Sequence, residues 1–269
     1  MHLVPPPAPR PEYDACVRIL FPLPLLILLT TACEDGQKGR QSLGPAVIGV
    51  FLGNDTDLAG FLHLRSGKVV VVAAETALSG IDADATITGA TVTAEVGPRA
   101  VIAPEIGDGL YETPDGASTS LYATVGDRVG LELVGDDRLG ISAIVPPVLQ
   151  LEIPLTAYPA DEPMVVDFPK RWYDDYDQVL AQVYDEDGEM LWSNHPRNAR
   201  GWLKVLSRSS IARKIELPKR ILEPGETVVL AVTFLQQLDE DADLTGPLNE
   251  PASSFWAGTA WLLPIPVAP

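Results

Sequence analysis

Thr91-Val92-Thr93-Ala94-Glu95-Val96-Gly97-Pro98 is the stretch that decides the fold class. Thr91, Thr93 and Glu95 alternate with Val92, Ala94 and Val96, so one parity of side chains meets water and the other faces a core. Gly97-Pro98 then ends the run with a turn. Outward from this point the same grammar recurs, a short apolar run followed by turn formers. Strands are expected at 47–52, 60–64, 69–74, 90–96, 120–125, 129–134 and 140–145. Asn54-Asp55, Ser66-Gly67, Gly107-Asp108-Gly109, Asp115-Gly116 and Gly135-Asp136-Asp137 punctuate them. Glycine tolerates positive φ, and Asp and Asn bond their own backbone, which is why these residues make turns. No segment here keeps a helical period over ten residues or so. Strands at roughly ten-residue spacing predict a sandwich or barrel.

Pro146-Pro147, Pro154, Pro159 and Pro163 follow. Proline lacks the amide donor that a central strand needs, so a boundary is expected near 150–163. Beyond it, strands are expected at 165–168, 178–184, 189–193, 214–217, 227–234 and 256–263, with Asp185-Glu186-Asp187-Gly188 as a hairpin turn. Residues 202–211 read as a short helix. The expected architecture is all-β: two tandem β-sandwich, immunoglobulin-like domains, 46–150 and 155–269, with no internal repeat relating them.

Two short outlines carry family resemblances. Gly89-Ala90-Thr91-Val92, Asp108-Gly109-Leu110-Tyr111, Gly126-Asp127-Arg128-Val129-Gly130-Leu131 and Ile144-Val145-Pro146-Pro147 together resemble the transthyretin-like or carboxypeptidase-regulatory-like β-sandwiches of cell-surface proteins. Leu222-Glu223-Pro224-Gly225-Glu226-Thr227-Val228-Val229-Leu230-Ala231-Val232 resembles the Pro-Gly turn and long penultimate strand of fibronectin type III-like domains, with Val228 where those carry an aromatic. Both resemblances imply a sandwich fold and carry over no active site.

The N-terminus reads as an address. Residues 19–29 form an apolar run (Ile-Leu-Phe-Pro-Leu-Pro-Leu-Leu-Ile-Leu-Leu) after Arg18. Its length suits a signal peptide and falls short of the roughly 20 residues of a membrane span. It ends in Thr30-Thr31-Ala32-Cys33, which resembles the lipobox of bacterial lipoproteins, although Thr30 stands where that motif usually has leucine. The resemblance implies a signal peptide over 1–32, cleavage before Cys33 and acylation (palmitate among the chains) of its thiol, leaving a lipidated tether over 33–45. The prolines and the acids Glu12 and Asp14 before residue 16 do not fit a basic leader, so the expected translation start is Val17. Glu34 after the cysteine is not the aspartate that retains lipoproteins in the inner membrane. The expected location is therefore the outer membrane, on its periplasmic or surface face, with the inner membrane second.

Cleavage would remove Cys16 and leave one thiol, itself acylated, so no disulfide is available in an oxidising compartment. It also leaves two histidines, His63 and His195, which excludes a multi-histidine metal site. Net charge is −18. In the leader Arg10 and Arg18 balance Glu12 and Asp14, so the mature chain keeps that charge. Such acidity argues against nucleic acid and against adhesion to anionic lipid, which leaves the anchoring to acyl chains.

There is no Gly-x-Ser-x-Gly elbow, no His-Glu-x-x-His helix and no phosphate loop, and the expectation is not an enzyme. Asp239, Asp241, Asp243 and Glu250 echo the spacing of a calcium loop, but Leu244 replaces its glycine and Pro247 interrupts it. The ordinary reading is a solvated acidic loop. Calcium is the one cofactor the sequence offers. Trp172, Tyr173 and Tyr176 could stack on sugars, or equally be core aromatics. Eight bases, Arg197, Arg200, Lys204, Arg208, Arg213, Lys214, Lys219 and Arg220, face only Glu216 within 197–220, which suggests a solvated face or a docking surface for an acidic partner. The expected role is a membrane-anchored, non-enzymatic interaction or structural module of the cell envelope, with a protein or glycan partner. The alternatives are a carbohydrate- or calcium-binding module and, less favoured, an envelope enzyme.

Overall fold

The computed structural model describes residues 44–54, 67–77, 80–114, 121, 123–150, 157–208, 210–221, 223–238 and 243–268. Residues 1–43, with the expected leader, Cys33 and most of the expected tether, and the strand expected at 60–64 lie outside them. Sixteen strands are described: β1 Pro45–Asn54, β2 Gly67–Ala77, β3 Gly80–Thr86, β4 Thr91–Val96, β5 Arg99–Ala103, β6 Glu105–Gly107, β7 Leu110–Glu112 and β8 Arg128–Val134. They continue with β9 Arg138–Ile144, β10 Met164–Asp167, β11 Gln178–Tyr184, β12 Met190–Ser193, β13 Lys214–Leu217, β14 Thr227–Gln237, β15 Asp243–Thr245 and β16 Ser254–Pro266. Among the described residues one α-helix, α1, spans Ala199–Leu206. The fold is all-β.

A nine-stranded sheet runs β12-β11-β14-β16-β1-β2-β7-β6, with β3 paired to β2. Strands from both halves of the chain meet at its centre, where β1 lies parallel to β16 and opposes Ile48 to Ser254 and Val50 to Trp256. A five-stranded sheet, β15-β9-β8-β4-β5, and a two-stranded one, β10-β13, complete the set.

Strand parity explains the layers. Val47 and Phe51 of β1, Val69 and Val71 of β2, and Phe255 of β16 face Val92, Leu131 and Ile141 of the five-stranded sheet, forming the first core. Further along the same sheet, Val228, Leu230 and Val232 of β14 and Val183 of β11 face Met164 and Ile215 of β10-β13, the second core. Burying each such Phe, Leu or Val contributes about 1.5–3 kcal/mol. The two cores share this sheet, and the first draws on Phe255 and Ala257 of β16 as well as on residues 47–145. On the opposite face Ile48, Val50, Val70 and Trp256 pack beneath Trp202 and Leu206 of α1.

The alternation at 91–96 is observed as expected, with Val92, Ala94 and Val96 buried. The Asp185–Gly188 turn forms the β11–β12 hairpin: the Asp185 carboxylate accepts from the amides of Asp187 (3.0 Å) and Glu189 (2.7 Å), and Gly188 has φ +82°. Two expectations need correction. At 120–125 the described residues are coil and turn. The Asp127 carboxylate accepts from both the amide and the hydroxyl of Thr124 at 2.8 Å, which curls this chain before β8. The helix begins earlier than 202, because the Asn198 side chain caps it by accepting from Gly201 N–H at 2.7 Å, and it ends at Leu206.

Candidate functional site

A cleft of about 650 Å³ with an apolar floor lies between α1, β3 and the starts of β1 and β16. Ala199, Trp202 and Leu206 recur at three- and four-residue intervals and are buried, so they dock the helix on the sheet. That docking turns Arg200, Leu203, Lys204 and Ser207 toward the cleft. Ile48 and Trp256 form its floor, and Ile81 of β3 its far side. The third wall is Pro251 and Ala252, from the 3-10 turn Glu250–Ala252, with Ser253. Polar groups here are oriented: the Ser254 hydroxyl accepts from Trp256 Nε1 at 3.0 Å, and the Ser253 hydroxyl accepts from the Val47 amide at 3.2 Å. Arg200 forms an exposed ion pair with Asp84 across the mouth, whereas Lys204 is exposed one helical turn further on. The result is an apolar floor under a rim carrying two cations.

A second recess of about 460 Å³ lies beside Val205 and just past the C-terminal end of α1, against β11 and β13. Its polar groups serve the fold. Gln178 Nε2 donates to the Arg208 carbonyl (3.0 Å), Asn194 Oδ1 accepts from Ala181 N–H (2.8 Å), and Lys214 pairs with Glu216 at 3.4 Å.

The structure brings Trp172, Tyr173 and Tyr176 together, but turns them inward. Trp172 and Tyr176 are 9% and 2% exposed, and both rings meet Phe234 edge-on, at 5.6 and 4.9 Å between centroids. The Tyr176 hydroxyl donates to the Ala212 carbonyl at 2.7 Å, and burial pushes its pKa up to about 12. Tyr173 is partly buried against the same core, with the Arg213 guanidinium 5.5 Å from its ring centre. These rings build the second core instead of an exposed platform. Asp239 and Asp241 lie outside the described residues. Asp243, at the edge of the five-stranded sheet, pairs with Arg128 at 2.5 Å, and Glu250 opens the 3-10 turn beside the cleft. Among the described residues no group of three or more His, Cys, Asp or Glu is placed to hold a metal ion. The basic segment 197–220 is divided: Arg200 and Lys204 at the cleft, Arg208 and Lys214 at the second recess, Arg213 over Tyr173.

His195, with no role assigned from sequence, stacks edge-on near Trp202, 6.3 Å between ring centres. Its Nε2 and the Trp202 Nε1 are buried without hydrogen-bond partners among the described residues. Burial, and then the nearby Lys68 ammonium, lower its pKa to about 4, so it is neutral at ordinary pH. Nothing in the pattern Ser193-Asn194-His195-Pro196 announces this, because the burial comes from a helix that follows it.

A comparison of the sequence with protein-family models finds no match, and a search among curated proteins finds none either.

Proposed function

We propose that the chain is a lipoprotein of the bacterial envelope, held in the outer membrane through acylated Cys33, that acts as a non-enzymatic binding module. The observation that carries the binding role is the cleft under α1. Ligand sites are concave, mostly apolar and set with a few oriented polar groups within roughly 300–1,000 Å³, and the cleft has each property. The anchor rests on the apolar run 19–29, its Thr-Thr-Ala-Cys ending, and the single thiol that would remain after cleavage. A net charge of −18 supports anchoring by acyl chains over electrostatic adhesion to anionic lipid.

Fractionation with in-cell crosslinking tests this reading. The wild-type chain should stay with membranes through an alkaline wash and Cys33→Ser should be released. A photo-reactive benzoylphenylalanine at position 204 should capture an envelope component, while one at Glu95, on the water face of β4, should not. Release of the wild type, or equal capture at both positions, would count against the proposal.

A further inference from the structure

The cleft pairs two features that together define a ligand class. Its floor and inner wall, Ile48, Ile81, Leu203 and Trp256, offer apolar contact with no ionisable group among them. Its charged side chains, Arg200 and Lys204, are both cationic and share one helix face four residues apart. Asp84 pairs with Arg200 at the mouth, so Lys204 carries the positive charge that this pair does not take up. It favours a ligand that is apolar along its length and anionic at one end. Asp84 already shows the chemistry at the rim, since its carboxylate pairs with Arg200.

A second observation concerns position. The cleft wall is hydrogen-bonded to the first residues of β1: Asn249 N–H donates to the Pro45 carbonyl at 2.8 Å, and Ser253 accepts from Val47. Eleven residue steps lead from Cys33 to Gly44, and fully extended they span at most about 40 Å. An acylated Cys33 would therefore hold Gly44, at the start of β1, within that distance of a membrane.

We propose that the cleft binds a single-chain long fatty acid, with the acyl chain along Ile48, Leu203 and Trp256 and the carboxylate at Lys204 and Arg200. The inference rests on the reading of the cleft as the binding site, and its membrane source rests on the anchor at Cys33. No bond is made or broken; the carboxylate displaces Asp84 from Arg200 or shares it.

The test uses the mature chain from position 33 with Cys33→Ser, so that no acyl group of its own competes, titrated with dibromostearate below its micellar concentration. Bromine quenches tryptophan at short range, and Trp256 lies on the cleft floor. The expected result is saturable quenching at one equivalent, weakened about tenfold in Lys204→Glu through loss of one charge-assisted contact. Lys204 is exposed, so this variant keeps the fold. Leu203→Glu should abolish quenching. Absence of saturation, or an unchanged affinity in Lys204→Glu, overturns the proposal. So does equal displacement by zwitterionic lysophosphatidylcholine, which would assign the site to another lipid. A dimer that Lys204→Glu dissociates would assign the cleft to a second copy and equally overturn it. Labelling cells with radioactive palmitate separates the two readings. Label on Cys33 with no quenching refutes the fatty-acid site alone, and quenching without label refutes the anchor alone.

Discussion

The amide of Val47 donates to the hydroxyl of Ser253 at 3.2 Å, joining residues 206 apart in sequence. It sits at the start of the parallel ladder in which β1, the first described strand, runs alongside β16, the last. Because β16 sends Phe255 and Ala257 into the first core and Ile265 into the second, one strand serves both.

This sharing predicts cooperative unfolding. Slowly exchanging amides of the first core, such as Leu131, and of the second, such as Leu230, should report the same opening free energy in native-state hydrogen exchange. Deleting residues 254–269 should abolish protection in both. Retained protection at Leu131 in the truncated chain would show that the first half folds without its C-terminal strand.

His195 predicts a pH dependence with a definite sign. Its folded pKa is lowered by burial to about 4, against an ordinary histidine value of 6.5. Between these values the unfolded chain binds a proton that the folded chain does not, so stability rises with pH across this window. The contribution is complete above about pH 6.5 and is lost as pH falls toward 4, by at most ~3 kcal/mol. Urea titrations from pH 7 to pH 4 should show the wild type losing more stability than His195→Phe. Parallel losses would place the histidine in contact with solvent.

Gly258 and Gly49 predict unequal costs for the same substitution. A Cβ at Gly258 would collide with the Phe234 carbonyl, which is held within β14, whereas one at Gly49 would meet the end of the Leu131 side chain, which can turn aside. Both overpack the interior, typically at 1–3 kcal/mol. Gly258→Ala should fall at or beyond the upper end and Gly49→Ala toward the lower, read as shifts in the urea midpoint. The reverse order would contradict the close approach of β14 and β16.

Several strands were legible because their own residues carry the signal. Val92, Ala94 and Val96 alternate, and the 178–184 and 214–217 ranges match β11 and β13. Two others were not. β3, Gly80–Thr86, contains two aspartates and pairs only with β2, and β5 exposes Ile102 at 62%, so neither shows a clean buried face. Partner choice was also hidden, since apolar periodicity tells which face is buried and not which strand lies beside it. The parallel pairing of β1 with β16 could not be read, nor could the cleft, whose walls come from residues 80–83, 200–207 and 251–256. The aromatic group at 172–176 was read as either platform or core, and Phe234, a distant residue that sequence could not place, makes it core. Asn198 is the sequence signal for the true helix start, since asparagine is a favoured N-cap.

The most direct test of the anchored-module account is the intact mass of the protein extracted from the membranes of the cells that make it. The account predicts a chain that begins at Cys33, carries acyl chains on that residue and has no free thiol. A chain that retains residues before Cys33, or that begins there with an unmodified thiol, would contradict it.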